Sequence, residues 1–181
     1  MVPAASRADV PKESPMSVDS FKYLPRSLRG YYESRPPERR EPIPWTPLAK
    51  PLAEAKVALV TTAGIWVDGR EPSFDYEREK REPMWGDPTF RRIPRDTRQD
   101  QIRAGHLHIN NRDILADVNV QLPLDRMREL ESAGRIGSLA ETNYSFMGYQ
   151  PNTTEWENKY GPECAGLMKD EAVDAVLLTP A

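Results

Sequence analysis

A chain of 181 residues, 38% hydrophobic and 29% charged, holds one domain of ordinary size with an additional arm. With 25 basic against 28 acidic residues the net charge is −3, and no field of one sign argues for a nucleic-acid partner. No apolar run reaches the roughly 18 residues of a membrane span. Met1 to Ser20 carries no apolar stretch ahead of a cleavage site, so a cytoplasmic protein is expected.

Residues 1 to about 55 hold 10 of the 18 prolines. Each proline removes a backbone donor and fixes φ, so this stretch reads as an arm over 1–50, disordered in part, ahead of an α/β domain over 51–181. Within the arm, Phe21, Tyr23, Leu24, Leu28, Tyr31 and Tyr32 fall at near-helical spacing, which predicts a short helix or hook over 19–33. Arg35 to Pro51 reads as an extended connector. Lys56 to Gly64 (KVALVTTAG) is a continuous β-rich run ending in glycine, the mark of a strand buried on both faces in a parallel sheet. Asp68 to Arg103 holds nine acidic and nine basic residues and reads as a solvated surface loop, or as a lid or partner-binding loop.

Gly105 to Ile109 is a short strand candidate. Pro123 to Ala133 predicts a helix, with proline in its first turn, Asp125 at its positive end, Leu124, Met127 and Leu130 on its apolar face, and Gly134 as the stop. Ile136, Leu139 and Ala140 form a short buried piece. A second helix over about 154–170, capped by Thr153 or Thr154, sets Trp156, Tyr160, Cys164 and Leu167 on one face. Val173 to Leu178 closes the series as a buried strand. This order predicts a Rossmann-like three-layer sandwich with a mostly parallel sheet and right-handed crossovers.

Cys164 is the only cysteine, so the chain has neither an internal disulfide nor a CxxC pair. On an apolar helix face it reads as inert packing. His106 and His108 are the only histidines, and on a strand two residues apart they share a face. Two such imidazoles form half of a site for a divalent metal ion, with Asp113, Asp117 and Asn119 nearby as oxygen donors; the alternative is a hydrogen-bonded strand–loop junction. Thr61, Thr62 and Gly64 follow the first strand, where backbone N–H groups can cradle an anion, although neither GxGxxG nor GxxxxGK is present. Gly134-Arg135-Ile136-Gly137 reads as a turn.

Four phrases then stand in order: VALVTTAG at 57–64, GDPTFRRIP at 86–94, the stretch from His106 to Gly148, and DAVLLTP at 174–180. Together they resemble the selenoprotein B family of glycine, sarcosine, betaine and D-proline reductases, over about Pro44 to Pro180. The resemblance implies an α/β subunit of a multi-subunit reductase. In that family a selenocysteine or cysteine in a short redox motif cleaves a substrate C–N bond reductively, while a pyruvoyl-bearing partner subunit holds the substrate amine. The family's HxH, DxN and PLDR positions match His106, His108, Asp117, Asn119 and Pro123 to Arg126. The redox motif follows the strand matched by Val173 to Leu178, and here no cysteine follows Cys164. One thiol cannot cycle without a resolving partner.

The expected function is therefore that of a subunit in a split reductase-like complex, hetero- or homo-oligomeric, with the redox group supplied by a Cys- or Sec-containing second subunit or a homologous chain. Two alternatives stand beside it: a metal-dependent enzyme built on His106 and His108, and a non-catalytic binding or scaffold subunit. In either catalytic reading the site lies at the carboxyl edge of the sheet. His106, His108 and Asp117 are its catalytic candidates, and Thr61, Thr62, Gly64 and Asn119 its substrate-binding candidates.

Overall fold

The computed structural model describes Lys22, residues 26–34 and residues 46–181. The chain divides into two compact units, 1–45 and 46–181. In the first, helix α1 (Arg26–Glu33) lies inside the expected 19–33 hook; the aromatic cluster proposed there lies mostly outside the described residues.

The second unit is an α/β fold around a mixed, mostly parallel sheet. Its centre is β1 (Lys56–Thr61). Along one side of β1 runs β7 (Ala175–Thr179), parallel and in register from Val57↔Ala175 to Thr61↔Thr179. The other side is shared by β5 (Ser138–Leu139) and β6 (Thr142–Phe146), also parallel. β3 (Phe90–Pro94) then pairs with β6 antiparallel. Val57 pairs with Leu139 and Val60 with Tyr144, so three steps along β1 face five along its neighbour. The two extra residues form a break, and the fully buried Asn143 fills it: its Oδ1 accepts the Leu59 N–H at 2.9 Å in place of a backbone carbonyl.

Alternation along β1 divides the core in two. Val57 and Leu59 join Ile114 of α3 (Asn111–Ala116), Leu124 and Met127 of α4 (Leu124–Ser132) and Val118 in one cluster. Val60 joins Tyr144, Phe146, Cys164 and Met168 in a second, beneath α5 (Gly161–Asp170) and the π-helical turn Trp156–Tyr160 that precedes it. Both long helices fall where the apolar spacing put them. Gly134 sits at φ +64° as the left-handed stop of α4. The second helix starts after Thr153, the expected cap, whose carbonyl accepts the Glu157 N–H and whose hydroxyl bonds the Glu157 side chain, while the preceding Asn152 side chain accepts from the Thr154 N–H. No helix among the described residues is long and apolar enough to cross a membrane.

Three expectations need correction. The 68–103 stretch is not a single loop. It holds α2 (Tyr76–Arg81), β3 and β4 (Ile102–Ala104), and β4 pairs antiparallel with β2 (Ile65–Val67), a strand that follows the Lys56–Gly64 run and is not expected from the sequence. Its charges mislead because several are used internally: buried Arg91 donates to Pro72 O and Ser73 O and stacks over Phe74. The strand expected over Gly105 to Ile109 ends at Ala104, and both histidines lie in the turn beyond it. β7 has the expected parallel partner but is not buried: Val176, Leu177 and Leu178 are 42%, 43% and 68% exposed, because among the described residues β7 pairs with β1 on one side only.

Candidate functional site

Parallel β1 and β6 end side by side, and the turns that leave them build a compact floor. Gly64, at φ +62°, donates its N–H to Phe146 O and accepts from Gly105 N–H, which draws the histidine turn against the ends of both strands. A side chain at Gly64 would press on Met147 and on His106 Cβ. At Gly148 an added Cβ would lie 2.9 Å from Thr62 O and 3.0 Å from His106 Nε2. The absence of side chains at these two positions is what lets the His106 ring lie between the turns.

His106 is 3% exposed, and burial lowers its pKa, with the neighbouring His108 adding to the effect. The imidazole is therefore held neutral. Its Nδ1 accepts the His108 backbone N–H at 3.1 Å, which leaves the proton on Nε2; that atom is buried and has no partner among the described residues. The carbonyl of His106 accepts from Asn111 Nδ2. His108 is half exposed. Its ring stands edge-on to His106, with centroids 5.9 Å apart, and tilts onto Tyr149 at 4.1 Å. The Tyr149 hydroxyl donates to Pro83 O.

Beneath His108 lies a residue the sequence reading missed. Glu79 of α2 is 3% exposed, neither carboxylate oxygen has a formed hydrogen bond among the described residues, and Oε1 is 3.3 Å from His108 Nε2. Burial raises its pKa above the ordinary glutamate value; His108 pulls it back in part and Asp87 adds to the rise. The signal was present. Asp75 caps α2 by accepting the Arg78 N–H, and a helix begun there puts Glu79 one turn beyond Tyr76, on the inward face.

The other candidates divide. Thr61 is buried, its hydroxyl bonded to Thr179 O and to the Ala63 N–H. The Thr62 and Gly64 N–H groups are taken by Thr179 O and Phe146 O, so the amide cradle imagined for an anion is already filled by the protein. Asp117 and Asn119 lie in the turn before α4. Asn119 Oδ1 accepts the Asp125 N–H, and its amide donates to both Asp117 and Asp125. These bonds hold both acids below the usual carboxylate range. Neither Asp117 nor Asn119 bonds a histidine among the described residues.

A divalent metal does not fit this donor set. His106 spends Nδ1 on its own turn and buries Nε2 against Gly148. Among the described residues no group of three or more His, Cys, Asp or Glu side chains is arranged to hold an ion. Cys164 is 4% exposed inside the α5 cluster, where burial pushes its thiol up to about 12.

The family model for glycine/sarcosine/betaine reductase selenoprotein B matches residues 29–181. The chain is 38% identical over 135 residues to the D-proline reductase subunit gamma of Acetoanaerobium sticklandii, covering 75% of this chain and 52% of that protein. It is 31% identical over 167 residues to the glycine reductase complex component B subunit gamma of Symbiobacterium thermophilum, covering 90% of this chain and 37% of that one. To the betaine reductase complex component B subunit beta of Peptoclostridium acidaminophilum it is 32% identical over 131 residues, covering 72% of this chain and 29% of that protein. The chain thus spans about half or less of the length of these curated relatives. No solved structure matches.

Proposed function

Because the chain belongs to the glycine/sarcosine/betaine reductase selenoprotein B family, we propose that it is a cytoplasmic subunit of a split reductase-like complex that receives its redox group from a partner chain. The observation that carries this reading is the state of Cys164. A thiol enclosed by Tyr144, Phe146, Met168 and Trp156 and pushed up to about 12 holds almost no thiolate at neutral pH. The relatives are named as subunits of D-proline, glycine and betaine reductases, the family resemblance implies a reactive selenolate or thiolate, and the one thiol of these 181 residues is enclosed.

In this reading the sheet, with an apolar cluster on each face, is a Rossmann-like three-layer sandwich, and its carboxyl edge receives the substrate. Thr62 and Gly64 shape the floor with Gly148, while Asp117 and Asn119 hold the adjoining turn. Reductive cleavage of a C–N bond leaves an amine that must take up a proton. His108, half exposed beside the floor, is the group placed to move it, and His106 fixes the turn that carries it.

Affinity purification from the native host, followed by mass spectrometry, tests the proposal. A stoichiometric partner bearing a Cys or Sec redox motif is the expected result, and the reconstituted pair reduces a cyclic or N-methylated amino acid. A chain that purifies with no such partner, or a complex whose turnover survives loss of the partner's redox residue, overturns it.

A further inference from the structure

We propose that Glu79 is the positioning residue of an acid–base pair in which His108 is the group that exchanges a proton with the ligand. The inference rests on the carboxyl-edge reading above and adds to it a residue on α2.

The geometry points one way. A carboxylate whose two oxygens are buried and without partners is costly to keep, and a solvated helix face offers many places for an acid that carry no such penalty. Glu79 instead turns inward, with His108 Nε2 at 3.3 Å. The contact is close but not aligned as a formed hydrogen bond, the loose arrangement expected of a catalytic pair before its ligand arrives. Tyr149 stacks on the imidazole and is itself tied to Pro83 O, so the ring is held from a second side. Half of the His108 side chain remains open to solvent.

The proton balance is simple. In neutral His108 the Nε2–H faces the Glu79 carboxylate, and the lone pair of Nδ1 is free to take a proton from a ligand. The imidazolium that forms is balanced by the carboxylate. In the reverse direction Nδ1 returns that proton to a departing amine, and no electrons move to or from either residue. His106 cannot take this part, because its Nδ1 accepts the His108 N–H and its Nε2 is enclosed. The other charges near Glu79 are fixed elsewhere. Asp87 is held by Asp75 N–H and Thr89, Arg78 pairs with Glu82, and Lys80 pairs with Glu77. Burial raises the proton affinity of Glu79, which suits a carboxyl that shares a proton with an imidazole.

Carbethoxylation by diethyl pyrocarbonate reads the pair directly, because the chain has only two histidines and one of them is buried. In the full-length chain one imidazole reacts quickly, and peptide mapping assigns it to His108. Glu79→Gln speeds that reaction about fivefold to tenfold below neutral pH, because the reagent attacks only the neutral ring and the variant lacks the carboxylate that favours the imidazolium; Glu79→Asp reverses part of the change, and the control Glu77→Gln leaves the rate unchanged. A Glu79→Gln chain with the wild-type circular dichroism spectrum and the wild-type rate overturns the proposal. Should that variant fail to fold, the carboxyl titration of Glu79 by ¹³C NMR decides. Its midpoint rises in His108→Gln if the two groups are coupled, and an unmoved midpoint overturns the pair. None of these readouts uses turnover or a partner chain, so they stand or fall separately from the split-reductase reading.

Discussion

At the residue scale, two buried titratable groups set opposite expectations. Cys164 lies inside the α5 cluster with its thiol pushed up to about 12. Alkylation by iodoacetamide in the folded chain is therefore expected to be far slower than in the denatured chain. Cys164→Ser places a hydroxyl among Tyr144, Phe146 and Met168. That change is expected to cost about 1–3 kcal/mol in urea denaturation, with no change in the activity of a reconstituted complex. Glu79 behaves in the contrary sense to an ion-paired acid. Its folded pKa is raised above the reference 4.5, so the folded state binds the proton more tightly than the unfolded one. Between 4.5 and that raised value, stability falls as pH rises. His108 opposes this rise and Asp87 adds to it, so the slope belongs to the three groups together. Denaturation curves at stepped pH are expected to show the decline, and Glu79→Gln is expected to remove its share of it.

At the element scale, legibility followed composition. β1, α4 and α5 announce themselves by apolar runs or 3.6-residue spacing, and they stand where that pattern put them. β6 was missed altogether. Its sequence, TNYSF, places Asn143 and Ser145 in the interior, where an apolar residue is the usual occupant. The reason is local: β6 and β5 meet β1 across a break that Asn143 repairs, and Ser145 ties β6 to the first residue of β2. Asn143 accepts from Leu59 N–H, and Ser145 Oγ accepts from Ile65 N–H at 2.8 Å. Periodicity cannot register a strand whose inward residues are chosen for hydrogen bonding. The same blindness hid Glu79, an acid on the buried face of a short helix that reads as solvated, whereas the two histidines were found by being the only ones and were placed on a strand that stops two residues early. Asn143→Leu keeps the branched shape and removes the acceptor. It leaves the Leu59 N–H unpaired in the interior, with an expected cost of about 1–3 kcal/mol in denaturant titration. Amide exchange at Leu59 is expected to quicken with it.

At the scale of the whole molecule, the sheet formed by the described residues is finished on one side and open on the other. On the β3 side, antiparallel pairing and charged side chains cover the margin: Arg92, exposed on β3, bonds Glu71 through its backbone N–H and its guanidinium. On the β7 side, Val176, Leu177 and Leu178 stand in sequence, all exposed, and β7 from Ala175 to Thr179 carries no charge. Edge strands of soluble proteins are ordinarily blunted by a lysine, a proline or a bulge, because a bare row of N–H and C=O groups templates another strand. β7 has none of these within its length, although its parallel register with β1 holds over five residue pairs. Backbone donors, apolar side chains on both faces and the absence of charge all favour addition of a further strand over exposure to water. The 181-residue chain by itself is therefore expected to self-associate through this edge in a concentration-dependent manner. Leu178→Lys places a charge at the most exposed of the three positions, 68% accessible and away from the core clusters. Light scattering across a dilution series is expected to give a higher apparent mass for wild type than for Leu178→Lys, with the same circular dichroism spectrum. Equal masses at every concentration would show that the exposed edge does not drive association.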